Sequence, residues 1–154
     1  MRSTRSSRPH RARHSMVSEI NIGGSTVPVA CNGFTPIVFS REFSVERPGG
    51  SRPKDINEDV SMILEVNAVS SVTPIVPMLE IFYACAKTAN PKIKPFKDWI
   101  GDFPPDAYDL ERSGGWSADV MEIVKENFFP HANEDVAAET AEATDAAAAD
   151  GAAK

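Results

Sequence analysis

One apolar stretch, residues 73–103, constrains the fold more than any other part of the chain. Thr73 and Pro74 indicate a helix start, because threonine caps helices and a proline at the first helical position loses no hydrogen bond. Asn90-Pro91 ends this helix, since the residue before a proline is pushed out of the helical region. Apolar residues cover more than half of its circumference: Ile75, Met78, Leu79, Ile81, Phe82, Cys85 and Ala86. Such a pattern predicts a helix buried in the core.

A second helical pattern begins after Pro95 and stops at Pro104-Pro105. Its apolar residues recur at the spacing i, i+3, i+4 and i+7, and they are Phe96, Trp99, Ile100 and Phe103. We expect this aromatic stripe to lie partly at a surface that binds a partner, since a small domain can leave some of its aromatic residues exposed. A second candidate patch lies on an earlier helix and consists of Phe39, Arg41 and Phe43.

The amino-terminal half predicts a hairpin followed by two helices. Alternating runs on either side of Gly23-Gly24 indicate a β-hairpin, which must pack on helices because two strands are not stable alone. Residues 36–43 predict a short helix, and residues 44–55 an exposed loop rich in proline and glycine. Asp55, with Glu58 three residues later, forms a capping-box pattern that opens the next helix.

A last helix is expected in the carboxy-terminal third. Ser117 is its predicted N-cap, and Trp116 and Met121 are placed as a hydrophobic staple. The helix ends at Phe129-Pro130. The expected fold class is therefore α+β and mainly α, with an N-terminal β-hairpin packed on about five short helices.

Charge divides the chain into three segments. Residues 1–15 carry five arginines and no acid, whereas residues 134–154 carry six acids against Lys154. The charges of the two end segments cancel, so the middle segment carries the net charge of −6. This negative charge argues against nucleic acid as its partner. We expect residues 1–15 to be a disordered arm or to result from a mis-assigned start with Met16 as initiator. Residues 16–132 then form one domain, and residues 133–154 a disordered acidic, alanine-rich tail.

Catalytic or metal chemistry finds little support in the residues. His10 and His14 have a helical metal-ligand spacing, but they stand among arginines that repel cations. The two cysteines, Cys31 and Cys85, form no CxxC motif and are expected to be free and buried in a reducing compartment. No stretch reaches the roughly 20 apolar residues of a membrane span. We therefore predict no catalytic, cofactor or metal site and no enzymatic activity.

Three segments resemble a known family. They are TPIVFSREF at 35–43, IFYACAKTANPKIKPFKDWIGDF at 81–103 and DVMEIVKENF at 119–128. Over residues 18–129 the chain resembles the small tail assembly chaperones of long-tailed phages and prophages of Gram-positive bacteria. The arginine-rich arm, the RPGGSRP segment and the Ser113-Gly114-Gly115 interruption depart from the pattern of that family.

The resemblance implies a non-enzymatic function in phage tail assembly. Such chaperones bind the largely helical tape-measure protein, keep it soluble and help to recruit tail-tube protein around it. It also implies action in the host bacterial cytoplasm, absence from the mature virion and, in many members, a longer form made by ribosomal frameshifting. Self-association is a further contact to consider. Two alternatives stay open, a structural virion component (a tail-tube or head–tail connector subunit) and a small nucleic-acid-binding protein that uses the arginine arm.

Overall fold

The computed structural model describes residues 16–70, 72–110 and 115–128. The predicted arginine arm, the predicted alanine-rich tail and all three histidines lie outside the described residues. Within the described parts the chain has the predicted fold class, α+β and mainly α, with an amino-terminal hairpin and five complete helices. In chain order the elements are β1 (Ser18–Ile22), β2 (Ser25–Val29), α1 (Thr35–Glu42), β3 (Ser44–Arg47), β4 (Gly50–Pro53), α2 (Ile56–Val69), α3 (Ile75–Ala89), α4 (Phe96–Gly101), a 3₁₀ turn (Pro105–Tyr108) and α5 (Gly115–Phe128).

The helix α3 is the centre of the molecule, as its sequence predicts. Every side chain from Met78 to Ala86 is buried. The elements α1, α2, α5 and β2 all contact α3. Because the neighbouring elements surround it, a helix that is apolar around most of its circumference is stable here.

The first hairpin forms around Gly23 and Gly24 as predicted. Both glycines have positive φ values, 56° and 79°, which a tight two-residue turn between antiparallel strands requires. Its buried side chains are Ile20, Ile22 and Val29. The hairpin therefore turns one apolar face onto the helices, with β1 against α5 and β2 against α3.

A second hairpin occupies the segment 44–53, so the prediction of a loop is wrong, although the segment is mostly exposed as predicted. Strands β3 and β4 pair antiparallel, with Arg47 opposite Gly50, and Gly49 and Gly50 have φ values of 97° and 135°. The amide of Lys54 donates to the carbonyl of Phe43 at 2.9 Å and closes the base of the hairpin. Proline and glycine mark the turn, whereas most of its strand residues are charged or polar, so the sequence lacks the apolar alternation that indicates strands.

Two helix starts differ from the prediction. α3 begins at Ile75 with Pro74 as its N-cap, and the Thr73 hydroxyl donates to the side chain of Asn67 at 3.4 Å and does not cap the helix. α5 begins at Gly115, so Ser117 lies inside its first turn and is not the N-cap. For α3, the hydrogen bond to Asn67 engages the hydroxyl that local sequence suggested as a cap.

The capping prediction for α2 is half right. Asp55 is the N-cap, and its side chain accepts a hydrogen bond from the amide of Asn57 at 2.9 Å. Glu58 does not close a capping box, because its carboxylate forms an ion pair with Arg52 of β4 at 2.8 Å. The second hairpin is thus connected to the first turn of α2.

Candidate partner-binding surface

The two predicted patches lie together in the structure. The ring of Phe43 contacts that of Phe96 with centroids 5.0 Å apart, and Trp99 lies against Phe82 and Tyr83 of α3 at 5.2 and 5.3 Å. We call the whole group the aromatic cluster; its members are Phe39, Phe43, Phe82, Tyr83, Phe96, Trp99, Phe103 and Trp116. Residues far apart in sequence thus form one block around α3.

The aromatic cluster belongs to the core, which corrects the exposure expected of its members. Phe39 is fully buried, and Phe43, Trp99 and Phe103 are buried as well. Phe96 and Ile100 are half-buried, so of the seven candidates the exposed one is Arg41. The i, i+3, i+4, i+7 spacing is therefore explained by packing onto α3.

A buried ionic group holds the second hairpin on the helices. The ammonium of Lys54 lies 3.1 Å from the carboxylate of Asp59 on α2 and 2.5 Å from that of Glu80 on α3. Burial disfavours the charge on Lys54, but the hydrogen bonds from its ammonium to Glu80 and Asp59 outweigh it and raise its pKa. Burial also raises the pKa of Glu80, which the ammonium partly offsets. These groups satisfy one another, and removing one partner would leave a buried charge unpaired, which is costly.

The most exposed apolar side chains of the helices and their connections lie at the end of α2, in the α2–α3 connection and at the start of α3. Val69 ends α2 and is 87% exposed, Val72 is 67% exposed in the connection, and Val76 is 56% exposed in the first turn of α3. We call these three residues the valine surface. Single exposed apolar residues are ordinary, but these three β-branched residues lie within eight positions of the chain and are a candidate contact for a partner.

A groove opens beside the valine surface. It has a volume of about 480 Å³ and lies between the α2–α3 connection and α5. Its lining is mostly polar, because Met78 and Met121 are buried and the charged groups come from α5: Asn67, Thr73, Met78, Ser117, Ala118, Met121, Glu122, Lys125 and Glu126. Polar and charged groups along such a groove can orient a segment that binds beside it.

A smaller apolar pair is exposed at the start of α1. Phe34 is 49% and Ile37 44% exposed. Both belong to the turn that precedes and opens α1, where the amide of Phe34 bonds to the side chain of Asn32 at 2.8 Å. The exposed apolar side chains near the candidate patch on α1 therefore lie five and two residues before the buried Phe39.

The valine surface carried a signal in the sequence. Buried residues of α2 follow the spacing of Ile56, Val60 and Ile63, and continuing that spacing leads to position 67 and not to Val69. An apolar residue off the buried stripe and next to a helix end predicts exposure. The β-branched run at 66–72 can be interpreted as helix fraying, and that interpretation hides the exposed face.

The described residues show no arrangement for metal or membrane chemistry. Residues 16–70, 72–110 and 115–128 contain no group of three or more histidine, cysteine or acidic side chains that could hold a metal ion. In the same parts of the chain, no helix combines the length and the apolar character that a membrane span needs.

The chain was compared with protein-family models, with curated proteins and with solved structures, and none of the three comparisons found a match.

Proposed function

We propose that this protein is a non-enzymatic phage tail assembly chaperone that binds the tape-measure protein, keeps it soluble and helps to recruit tail-tube subunits. The resemblance over residues 18–129 suggests this function. The exposed valine surface supports it. We place its action in the host bacterial cytoplasm and expect it to be absent from the mature virion.

The valine surface is the observation that carries the proposal. A chaperone for a helical protein with apolar stripes must itself offer apolar side chains to water before the partner arrives. Full burial of one valine side chain is favourable by about 1.5 to 3 kcal/mol. Part of this gain is lost to the ordering of the two partners, so three valines suit a reversible complex and not a permanent one.

The neighbouring groove adds orientation to this contact. Glu122, Lys125 and Glu126 supply both signs of charge along one edge. A helix that lays its apolar face on the valines can therefore direct its polar residues toward α5.

The proposal is tested by replacing valines of this surface in the full chain. The double variant Val69→Asp, Val76→Asp places charges where the partner's apolar face would lie, and each side chain is already exposed, so the fold is kept. We expect binding to the tape-measure protein, measured by pull-down and calorimetry, to weaken at least tenfold, which corresponds to about 1.4 kcal/mol.

The matched control is Val17→Asp. Val17 is 59% exposed but precedes β1 and lies outside the α2–α3 connection. This variant should bind like the wild type. Equal binding by all three proteins would overturn the valine surface as the contact, and detection of the chain by mass spectrometry as a regular component of purified particles would favour the structural virion component.

A further inference from the structure

Three exposed side chains lie in a row along α1. Phe34 is the N-cap residue and is 49% exposed, Ile37 is 44% exposed, and Arg41 is exposed as well. The amide of Val38 donates to the carbonyl of Phe34 at 3.1 Å, so the helical geometry already includes Phe34. Positions i, i+3 and i+7 of a helix share one face, and they span about 10 Å along its axis. We call Phe34, Ile37 and Arg41 the α1 stripe.

Hydrogen bonds hold the backbone at the start of α1 in place. The amide of Phe34 donates to the Asn32 side chain at 2.8 Å, and the amide of Asn32 donates to the Thr35 hydroxyl at 3.0 Å. That hydroxyl also lies 3.1 Å from the hydroxyl of Thr88 on α3. Because the backbone that carries the α1 stripe is already ordered, a partner loses little free energy in ordering it.

Arg41 has no acidic partner among the described residues. The acid next to it in sequence, Glu42, is paired with Lys87 of α3 at 2.5 Å. No other carboxylate of residues 16–70, 72–110 and 115–128 forms an ion pair with Arg41. A guanidinium binds a carboxylate through two parallel hydrogen bonds. The donors of Arg41 are therefore available to a carboxylate from outside this domain.

The α1 stripe and the valine surface lie near opposite ends of α3. Thr35, in the first turn of α1, contacts Thr88 in the last turn of α3, whereas Val76 lies in the first turn of α3. The step of 12 residues from Val76 to Thr88 corresponds to about 18 Å of helix. A segment bound to the valine surface therefore leaves the α1 stripe uncovered.

We propose that the α1 stripe is a second docking surface, which binds an acidic amphipathic segment of a protein partner. Apolar side chains of this segment pack on Phe34 and Ile37, and one of its carboxylates accepts hydrogen bonds from Arg41. Aromatic residues and arginine are the types that are enriched at protein interfaces. This contact is separate from the proposed contact with the tape-measure protein and does not depend on it.

Charge decides which amphipathic segment binds. The net charge of −6 repels an acidic segment at long range. At physiological ionic strength this repulsion is screened beyond about 8 Å, whereas a carboxylate in contact with Arg41 is far closer than that. The nearby guanidinium therefore outweighs the distant acids and favours an acidic segment over a neutral one.

The experiment uses the full chain and two fluorescein-labelled peptides. Both are designed as amphipathic helices with leucines on one face, and they differ only at the flanking positions, which are glutamates in the acidic peptide and glutamines in the neutral one. Fluorescence anisotropy should show that the acidic peptide binds several-fold more tightly. The variant Val69→Asp, Val76→Asp should bind it like the wild type. Absence of binding by the acidic peptide, or equal binding of the two peptides, would overturn the proposal.

Variants of exposed residues locate the contact. Arg41→Gln should remove the preference for the acidic peptide, and Ile37→Ala should weaken the binding of both peptides. The matched controls are Arg47→Gln, which removes an exposed arginine of β3, and Leu64→Ala, which shortens a leucine of α2 that is 38% exposed. Both controls should bind like the wild type. A loss in the controls as large as in the stripe variants would place the contact elsewhere and contradict the proposal.

A second copy of this chain is the other candidate occupant of the α1 stripe. Sedimentation analysis of the wild type and of Arg41→Gln distinguishes it from a separate partner. We expect the same mass for both proteins. A wild-type dimer that Arg41→Gln converts to a monomer would assign the stripe to a second copy and overturn the docking of a separate acidic segment.

Discussion

At the scale of single residues, burial decides what the aromatic side chains do. Trp99 belongs to a helix of only six residues, yet its ring contacts Phe82, Tyr83 and Phe103 within 5.3 Å. The sequence predicts that Phe96, Trp99, Ile100 and Phe103 share one face, and the structure places all four in or against the core. The sequence cannot predict whether the facing partner is another protein or α3 of the same chain, because both give the same spacing.

Trp99→Ala should lower the free energy of unfolding by about 3 to 5 kcal/mol, because it empties a buried site of a large ring. The measurement is a urea titration followed by circular dichroism. Val76→Ala is the matched control, since Val76 is 56% exposed and its loss should cost less than about 0.5 kcal/mol. A loss for Trp99→Ala as small as that of the control would show that the aromatic cluster does not support the fold.

At the scale of elements, the two hairpins differ in how clearly their own residues indicate a hairpin. The first combines a Gly-Gly step with alternating apolar residues, and both signals point to the same structure. The second hairpin has glycines at its turn but almost no apolar residue in its strands. Val45 is the one aliphatic side chain of these strands that is half-buried. Its position depends on Lys54, which bonds to acids on α2 and α3. Such a contact over many residues has no local signature.

Gly23→Ala and Gly24→Ala should differ in their cost, although both glycines have positive φ. A Cβ at Gly23 would lie 2.7 Å from Cγ of Pro104, whereas a Cβ at Gly24 meets nothing within 4 Å. Left-handed backbone costs a non-glycine residue about 1 to 2 kcal/mol, so both variants lose that amount. Thermal unfolding should show a further loss only for Gly23→Ala. Equal losses would mean that the hairpin turn does not lie against Pro104.

At the scale of the whole molecule, most aromatic residues are buried in the core, and the exposed apolar side chains are mainly aliphatic. α3 and its partners bury most of the large rings in the described residues, and the exposed large apolar side chains there are mostly aliphatic, with Val69, Val72 and Val76 among the most exposed. The sequence therefore predicted the elements around α3 well. It misplaced the surface because exposure depends on how many elements pack on α3, which only the assembled fold reveals.

The measurement that tests the chaperone function most directly is the soluble fraction of the tape-measure protein when it is co-expressed with the full chain. The account predicts that this fraction rises several-fold over expression alone and that the two proteins purify together. The rise should be lost with Val69→Asp, Val76→Asp and kept with Val17→Asp. A tape-measure protein that stays equally insoluble beside a well-folded wild-type chain would contradict the account.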